Sequence, residues 1–346
     1  MNPGSRVAAD RVRPPDHRFA RLAQVRQLTL ARPADSLGEL DAVYRKVAAI
    51  RAEQAPGPLP TAVSVLAGDH GVAARGVSAF GSATTSAVAR LIDAGRAPVN
   101  LLAAYAAAPV YLADFGLTEP VGHQRFKVGA GTRDISMADA MSVDQARLAI
   151  ENGCDHVASI PDAGLVAIGE IGVGNTTAAA ALAARLLGQA PSATVGTGTG
   201  IGPAQLAHKR RLVDAALVRT ASVPGEPVRL LSALGGFEIA GNVGVILGAA
   251  ERGMLVVLDG YITAVAAMLA TRLCPAVSSY LVAAHLSREP GHRLVLSSLG
   301  LRPLIDADLH LGMASGAALA LPMINAALAV GRDTPTARDA GLDGRR

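Results

Sequence analysis

The sequence predicts an α/β protein: a parallel sheet between two helix layers, with a small helical domain drawn from both chain ends. Three observations carry the prediction. Short apolar, β-branched runs alternate with helical stretches, as expected for strands buried on both faces. Each run ends in a polar, glycine-bearing turn, where open α/β sheets place their ligand crevice. Both ends of the chain read as helix. The architecture is therefore three-layered and Rossmann-like. A length of 346 residues with 50% hydrophobic and 17% charged residues supports a sizeable core and about two structural units.

Residues 1–20 are polar and rich in Arg and Pro, and are expected to form a disordered tail. Residues 21–60 supply one or two amphipathic helices, broken near Pro33 and the Ser36-Leu37-Gly38 turn. They end in the rigid connector Pro56-Gly57-Pro58-Leu59-Pro60, and form the N-terminal part of the small domain. The large α/β domain spans 61–300. Thr61–Ala67 runs into Gly68-Asp69-His70-Gly71, and Pro109–Ala113 into Asp114-Phe115-Gly116. Gly164–Ile168 runs into a glycine-rich turn over 169–177, followed by a helix over Ala178–Leu187. Met254–Leu258 runs into Asp259-Gly260. No fixed-period repeat appears, which excludes a solenoid. Residues 301–330 return to helix, including the apolar segment Leu311 to Val330, and complete the small domain. The polar residues 331–346 read as a flexible tail.

Composition narrows the function. Tryptophan is absent and aromatics are 3%, so the stacking platforms of carbohydrate and single-stranded nucleic-acid binders are missing. The net charge is +4, lysine occurs only at 46, 127 and 209, and the longest basic run in the body of the chain is Lys209-Arg210-Arg211. No nucleic-acid partner is expected. Cys154 and Cys274 make no disulfide framework or zinc cluster, which suits a reducing, cytoplasmic setting. Residues 1–32 lack a signal-type apolar core. The apolar stretches 239–250 and 314–330 are interrupted by Asn242, and by Pro322 and Asn325, so buried helices are expected rather than stable membrane insertion.

The strongest chemical signal is Gly169-Glu170-Ile171-Gly172-Val173-Gly174-Asn175-Thr176-Thr177. Glycines allow close ligand approach, Asn175 and the threonines can cap the next helix, and a helix N-terminus attracts phosphate. It is neither a P-loop nor a dinucleotide fingerprint; an ordinary strand–helix turn is the plainer alternative. A second loop, Gly196-Thr197-Gly198-Thr199-Gly200, offers backbone donors and two hydroxyls, with Lys209 nine residues on. Together Gly172, Gly174, Thr176, Gly198 and Gly200 can hold one phosphorylated ligand between two loops. Lys209 reads either as a cation for that phosphate or as a solvated lysine. Asp69 and His70, and likewise Asp259, stand after strands, where they orient a ligand or cap the next segment. Glu170 is the best general-base candidate, or else orders the turn. His285, Glu289 and His292 have helix-face spacing, but Pro290-Gly291 breaks a helix there, so no metal and no cofactor is assigned.

These segments resemble the nicotinate-nucleotide–dimethylbenzimidazole phosphoribosyltransferase family over residues 24 to 330. Ser36-Leu37-Gly38 is similar to its "SLG". Gly68-Asp69-His70-Gly71-Val72, continuing to Gly76-Val77-Ser78-Ala79-Phe80, is similar to "DHGV…GVSAY". Gly131-Thr132 with Ala140-Met141, the Gly169–Thr177 run ("GEMGIGNTT"), Leu234–Gly241, Leu258–Tyr261 and the His285–His292 run ("SHxSxEPGH") follow in order. The resemblance implies a dimer with a large α/β and a small helical domain. It implies displacement at ribose C1′ of nicotinate mononucleotide by a benzimidazole-type acceptor, yielding an α-riboside 5′-phosphate for the lower ligand of cobalamin. It places Ser78, Phe80 and Ser287 among the substrate-binding residues. Three positions depart from the family. Met313 stands at the place of the catalytic glutamate in "RLGEG[ST]GA"; Phe80-Gly81-Ser82-Ala83 replaces "YPQE"; Thr197 replaces the arginine of "GRGTG". A thioether takes no proton. Two functions follow: a transferase using Glu170 or a changed acceptor, and a non-catalytic homologue that binds a nucleotide or azole as a sensor or partner subunit.

Overall fold

A computed structural model describes residues 10–342. Six parallel strands among the described residues form one sheet in the order β2-β1-β3-β4-β5-β6. They are β1 (Thr61–Gly68), β2 (Val110–Gly116), β3 (Leu165–Ile171), β4 (Leu255–Leu258), β5 (Leu281–His285) and β6 (Pro303–Ile305). The pleat sorts the apolar residues. Ala62, Leu66, Val166, Ile168, Val256 and Leu258 enter one core; Val63, Val65, Leu165, Ala167 and Val257 enter the other. Two-sided burial is why these strands read as continuous apolar runs.

The chain steps from β1 outward to β2, then returns to place β3 on the other side of β1. Val63 lies opposite both Val110 and Ala167. The strand order therefore reverses between β1 and β3, which puts the ligand crevice beyond their carboxyl ends.

On one face lie α5 (Val143–Ser159), α6 (Asn175–Leu187), α10 (Phe237–Glu251) and α11 (Tyr261–Leu273). On the other lie α1 (His17–Thr29), α2 (Glu39–Arg51), α3 (Ala83–Asp93), α4 (Pro98–Ala104) and α13 (Ser315–Asp333). The turn α7 (Pro191–Thr194) and helices α8 (Pro203–Arg219), α9 (Pro227–Leu234) and α12 (Pro290–Leu299) complete the layers. Helix α13 is long and apolar enough to cross a membrane by length and composition alone, yet 56% of its apolar window is buried in this fold. Its Asn325 exchanges two hydrogen bonds of 3.0 Å with the backbone of Leu59.

Several boundaries differ from expectation. The tail expected over 1–20 includes the start of α1, because Asp16 caps that helix by accepting from the Arg18 N–H at 3.0 Å. Val12 is buried, and the Tyr280 hydroxyl donates to the Arg13 carbonyl at 2.6 Å. Residues 1–9 of that tail lie outside the described residues. The C-terminal tail expected from 331 begins later, since α13 runs to Asp333. Beyond it, Ala337 N–H donates to the Thr29 carbonyl at 2.8 Å and Ala31 N–H to the Pro335 carbonyl at 2.9 Å. Residues 343–346 lie outside the described residues. Helix α6 starts at Asn175 rather than Ala178, with Gly174 at its N-cap. Strands β5 and β6 add to those the sequence predicts: β5 is short, and β6 opens on a proline at the sheet edge.

The two chain ends meet at Gly331, whose carbonyl accepts from Arg26 Nε at 3.0 Å. A Cβ added at Gly331 would lie 2.1 Å from Cε2 of the buried Tyr44. Gly331→Ala gains about 1 kcal/mol of helix propensity but overpacks at about 1–3 kcal/mol. Urea unfolding is expected to show a net loss of up to about 2 kcal/mol; a raised midpoint would contradict this packing.

Candidate active site

The carboxyl ends of β1, β3, β4 and β5 deliver Asp69 and His70, Glu170, Asp259, and Ser287 to one mouth. These groups occupy it unequally. Asp69 directs one carboxylate oxygen to the Thr118 backbone N–H at 2.9 Å and to the Thr118 hydroxyl. Its other oxygen is buried with no hydrogen-bond partner. The ring of His70, expected at the ligand, is wholly enclosed. Its Nε2 bonds Oε1 of Glu238 at 2.7 Å, and neither side chain has exposed surface. The ring underlies the glycine-rich turn: a Cβ at Gly172 would lie 3.3 Å from His70 Cδ2. His70 thus supports the turn from below.

Glu170 is buried and accepts a hydrogen bond from the Asn175 side chain. Burial raises its pKa well above the usual carboxylate range; the neighbouring charges of Asp259 and Glu238 add to the rise, and Asn175 opposes it. Asn175 was expected to cap helix α6, but it is that helix's first residue and spends its side chain on Glu170.

Lys209 is fully buried rather than solvated. Its Nζ donates to the Thr176 hydroxyl at 2.9 Å and to the Gly196 carbonyl at 3.3 Å, so it bridges the two glycine-rich loops. Burial lowers its pKa, and the Glu289 carboxylate acts against that. The second loop turns at Gly198 and Gly200, both with positive φ, and leaves Thr197 exposed. Gly198 differs from expectation, since its N–H already donates to Glu289 Oε1 at 2.8 Å. Thr199 reaches the other side of the crevice. Its hydroxyl lies 3.1 Å from that of Ser78 and accepts from the Ala79 N–H at 3.0 Å. Phe80 follows, 55% exposed.

The segment before α13 closes the mouth. A Cβ at Gly169 would lie 2.2 Å from the Ala314 nitrogen, which places residues 313–314 against β3 beside Glu170. Met313 and Ala314 both adopt left-handed backbone, at φ 61 and 65, and both are buried. That conformation costs a non-glycine residue about 1–2 kcal/mol, so surrounding contacts must hold it. One contact is Asp259, whose Oδ1 accepts the Ala317 N–H at 2.9 Å in the first turn of α13. His285 Nε2 lies 3.6 Å from the same oxygen. Burial disfavours the His285 cation, but Asp259 outweighs this and raises its pKa.

His285, Glu289 and His292 do not share a helix face. His285 ends β5, Glu289 is the N-cap of α12, and Pro290 opens that helix instead of breaking one. His292 Nδ1 accepts the Ser287 N–H at 3.0 Å. Burial and the neighbouring His285 push the pKa of His292 down to about 3. The Ser287 hydroxyl is buried without a hydrogen-bond partner. Sequence reasoning missed Glu238 and undervalued Glu289. The available signal was a carboxylate beside a run of apolar helix, which needs an internal partner.

Two cavities, of about 370 and 880 Å³, open at the opposite, amino-terminal ends of the strands around Arg51, Pro60, Gly164, Glu251 and Arg252. Converging titratable groups, not cavity size, single out the β1–β3 mouth.

The sequence pattern of the phosphoribosyltransferase family matches residues 12–342. A nicotinate-nucleotide–dimethylbenzimidazole phosphoribosyltransferase of Pseudomonas aeruginosa (strain UCBPP-PA14) is 40% identical over 342 residues, covering 97% of each chain. One from Roseiflexus sp. (strain RS-1) is 39% identical over 341 residues, again covering 97% of each. The crystal structure of such an enzyme from Thermus thermophilus superposes with a TM-score of 0.90 at 37% identity, covering 96% of this chain and all of that one. With its six-stranded parallel sheet and this arrangement of strand ends, the chain belongs to the nicotinate-nucleotide–dimethylbenzimidazole phosphoribosyltransferase family.

Proposed function

We propose that the chain transfers the phosphoribosyl group of nicotinate mononucleotide to 5,6-dimethylbenzimidazole or a related azole, releasing nicotinate. The product is an α-riboside 5′-phosphate, the precursor of the lower ligand of cobalamin. The observation that carries the reading is the buried Lys209 bridging two glycine-rich loops at the switch point of the sheet. The 5′-phosphate lies along Gly172–Thr176 and Thr199–Gly200, with Thr197 and Lys209 at its edge. Ser78 and Phe80 border the azole, and Asp259 and Ser287 flank the ribose side. The working unit is a homodimer, and helices α1 and α2 with α13 form its small helical domain.

The azole nitrogen lone pair attacks C1′ from the face opposite the leaving ring. The C1′–N bond breaks and its electron pair returns to the pyridine nitrogen, which leaves uncharged and needs no strong acid. The azole N–H then gives its proton to a base. Met313 stands at the family's glutamate position and cannot accept it. Glu170 is the base, once it has lost the proton that burial favours. Holding C1′ by its phosphate supplies the positioning part of the rate. Met313 also supports a second reading, a homologue that binds without turnover; release of nicotinate decides between them.

Calorimetry tests the binding half. Nicotinate mononucleotide is expected to bind at least about tenfold more tightly than its nucleoside, since charge-assisted hydrogen bonds contribute about 1.5–3 kcal/mol. Equal affinities would remove the phosphate assignment.

Glu170 predicts a pH profile. The base form grows as pH rises, so the acid limb of kcat/KM should lie well above the usual carboxylate range, and Glu170→Gln should lower the rate by about 10²-fold or more. For stability the sign is reversed. A carboxyl raised above its ordinary 4.5 stabilises below that value and loses the contribution as pH climbs through the raised pKa. E170Q should therefore gain on the wild type towards alkaline pH, by about 1.4 kcal/mol per pH unit between the two pKa values. Full activity in E170Q would make Glu170 a structural residue.

Met313→Glu restores a carboxylate at the family position. Nicotinate release with dimethylbenzimidazole is expected to rise by about 10²-fold. Burying the new group costs stability unless it stays protonated, so the thermal midpoint is read beside the rate. A folded M313E with no gain would show that the segment before α13 does not face the acceptor.

A further inference from the structure

Glu289 has no part in the chemistry above, yet its carboxylate lies inside the second loop. Oε1 accepts the Gly198 N–H at 2.8 Å and Oε2 the Gly196 N–H at 3.2 Å. A Cβ at Gly196 would lie 2.6 Å from Oε2, so the loop and the carboxylate are in close contact. The carbonyl of the same Gly196 accepts from Lys209, which in turn donates to Thr176 of the first loop. A chain of hydrogen bonds thus runs from the start of α12 through one glycine-rich loop and a buried cation to the other. The residues on it come from four separate parts of the sequence.

Resting on the phosphate reading, we propose that Glu289 is a positioning residue of the 5′-phosphate cradle: it clamps the Gly196–Gly198 turn and supplies the counter-charge of buried Lys209. Two oxygens on two amides fix the turn as an anion would, leaving the rest of the loop and the Lys209 ammonium for the substrate. Around Lys209, helix α6 contributes the neutral Thr176 and the 191–194 turn carries no charged side chain. Glu289, on the α12 side, is the charged group that acts on Lys209, holding its pKa up against burial. Removing that charge lets the ammonium lose its proton at lower pH.

The test is the affinity of the full chain for nicotinate mononucleotide and for its nucleoside, by calorimetry across neutral to alkaline pH, in wild type, Glu289→Gln and Glu289→Asp. E289Q is expected to lose about tenfold or more in affinity for the nucleotide and little for the nucleoside. Its alkaline fall in nucleotide affinity should begin at lower pH than in wild type. E289D keeps the charge and should keep the wild-type alkaline limb, while its shorter reach weakens nucleotide binding by about three- to tenfold. A structural role alone would move the thermal midpoint but not the alkaline limb. A wild type indifferent to the phosphate overturns the functional reading and this inference together. A wild type that prefers the nucleotide, with E289Q matching its affinity and limb, overturns this inference alone. If E289Q does not fold, E289D decides: nucleotide affinity equal to wild type overturns the clamp.

Discussion

Glu238, Asp259 and Glu170 are buried around the strand ends, and among the described residues no arginine or lysine hydrogen-bonds any of them. They are 0%, 1% and 5% exposed. Burying charge is costly without internal partners, and each carboxylate recruits a different one. Glu238 takes His70, Glu170 takes the Asn175 amide, and Asp259 takes the first turn of α13 with His285 alongside. These choices position the mouth. The first sets His70 under the glycine-rich turn. The second ties β3 to the start of α6. The third fixes where the C-terminal helix begins, and so where Met313 lies.

The same constraint connects the two chain ends to the chemistry. Helix α13 is anchored at one end by Asp259 and at the other by the close approach of Gly331 to Tyr44. Along its length it packs on β3, β4 and β5, over the face that carries Leu165, Ala167, Val257 and Val282. The left-handed backbone at Met313 and Ala314 is therefore held through the helix that follows it. A shift of α13 would move the residues beside Glu170, so helical packing far from the mouth controls geometry within it.

Much of this was legible in the sequence, and what was not has physical reasons. Strands β1 to β4 could be read because burial on both faces leaves a continuous apolar run before a polar turn, as at Val63–Leu66 before Asp69. Strand β5 was missed because its last residue, His285, shares helix spacing with Glu289 and His292, and spacing cannot tell a strand end from a helix face. The tail at the N-terminus looked loose because its tether, Tyr280 to Arg13, is a contact across nearly the whole chain. Within the mouth, sequence order identified Glu170 and the glycine-rich loops. It could not reveal that His70 points inward to Glu238, or that Lys209 is buried, since both facts depend on which helix covers which strand end.

The arrangement around Lys209 shows how a scarce residue type gains meaning. An isolated buried ammonium is unfavourable, so a fold that keeps one must hold an anion or dipoles against it. Here its hydrogen-bond partners are one hydroxyl and one carbonyl, and the Glu289 carboxylate, itself held by two amides, acts on it through its charge. Hydrogen bonds to neutral groups alone leave the charge uncompensated, and Glu289, at the N-cap position of α12, acts against the burial penalty. The cost of burying Lys209 is thereby spread over two loops and two helices. On the proposed reading, a phosphate arriving at that place would meet donors already ordered, and binding it would require little further loss of chain entropy.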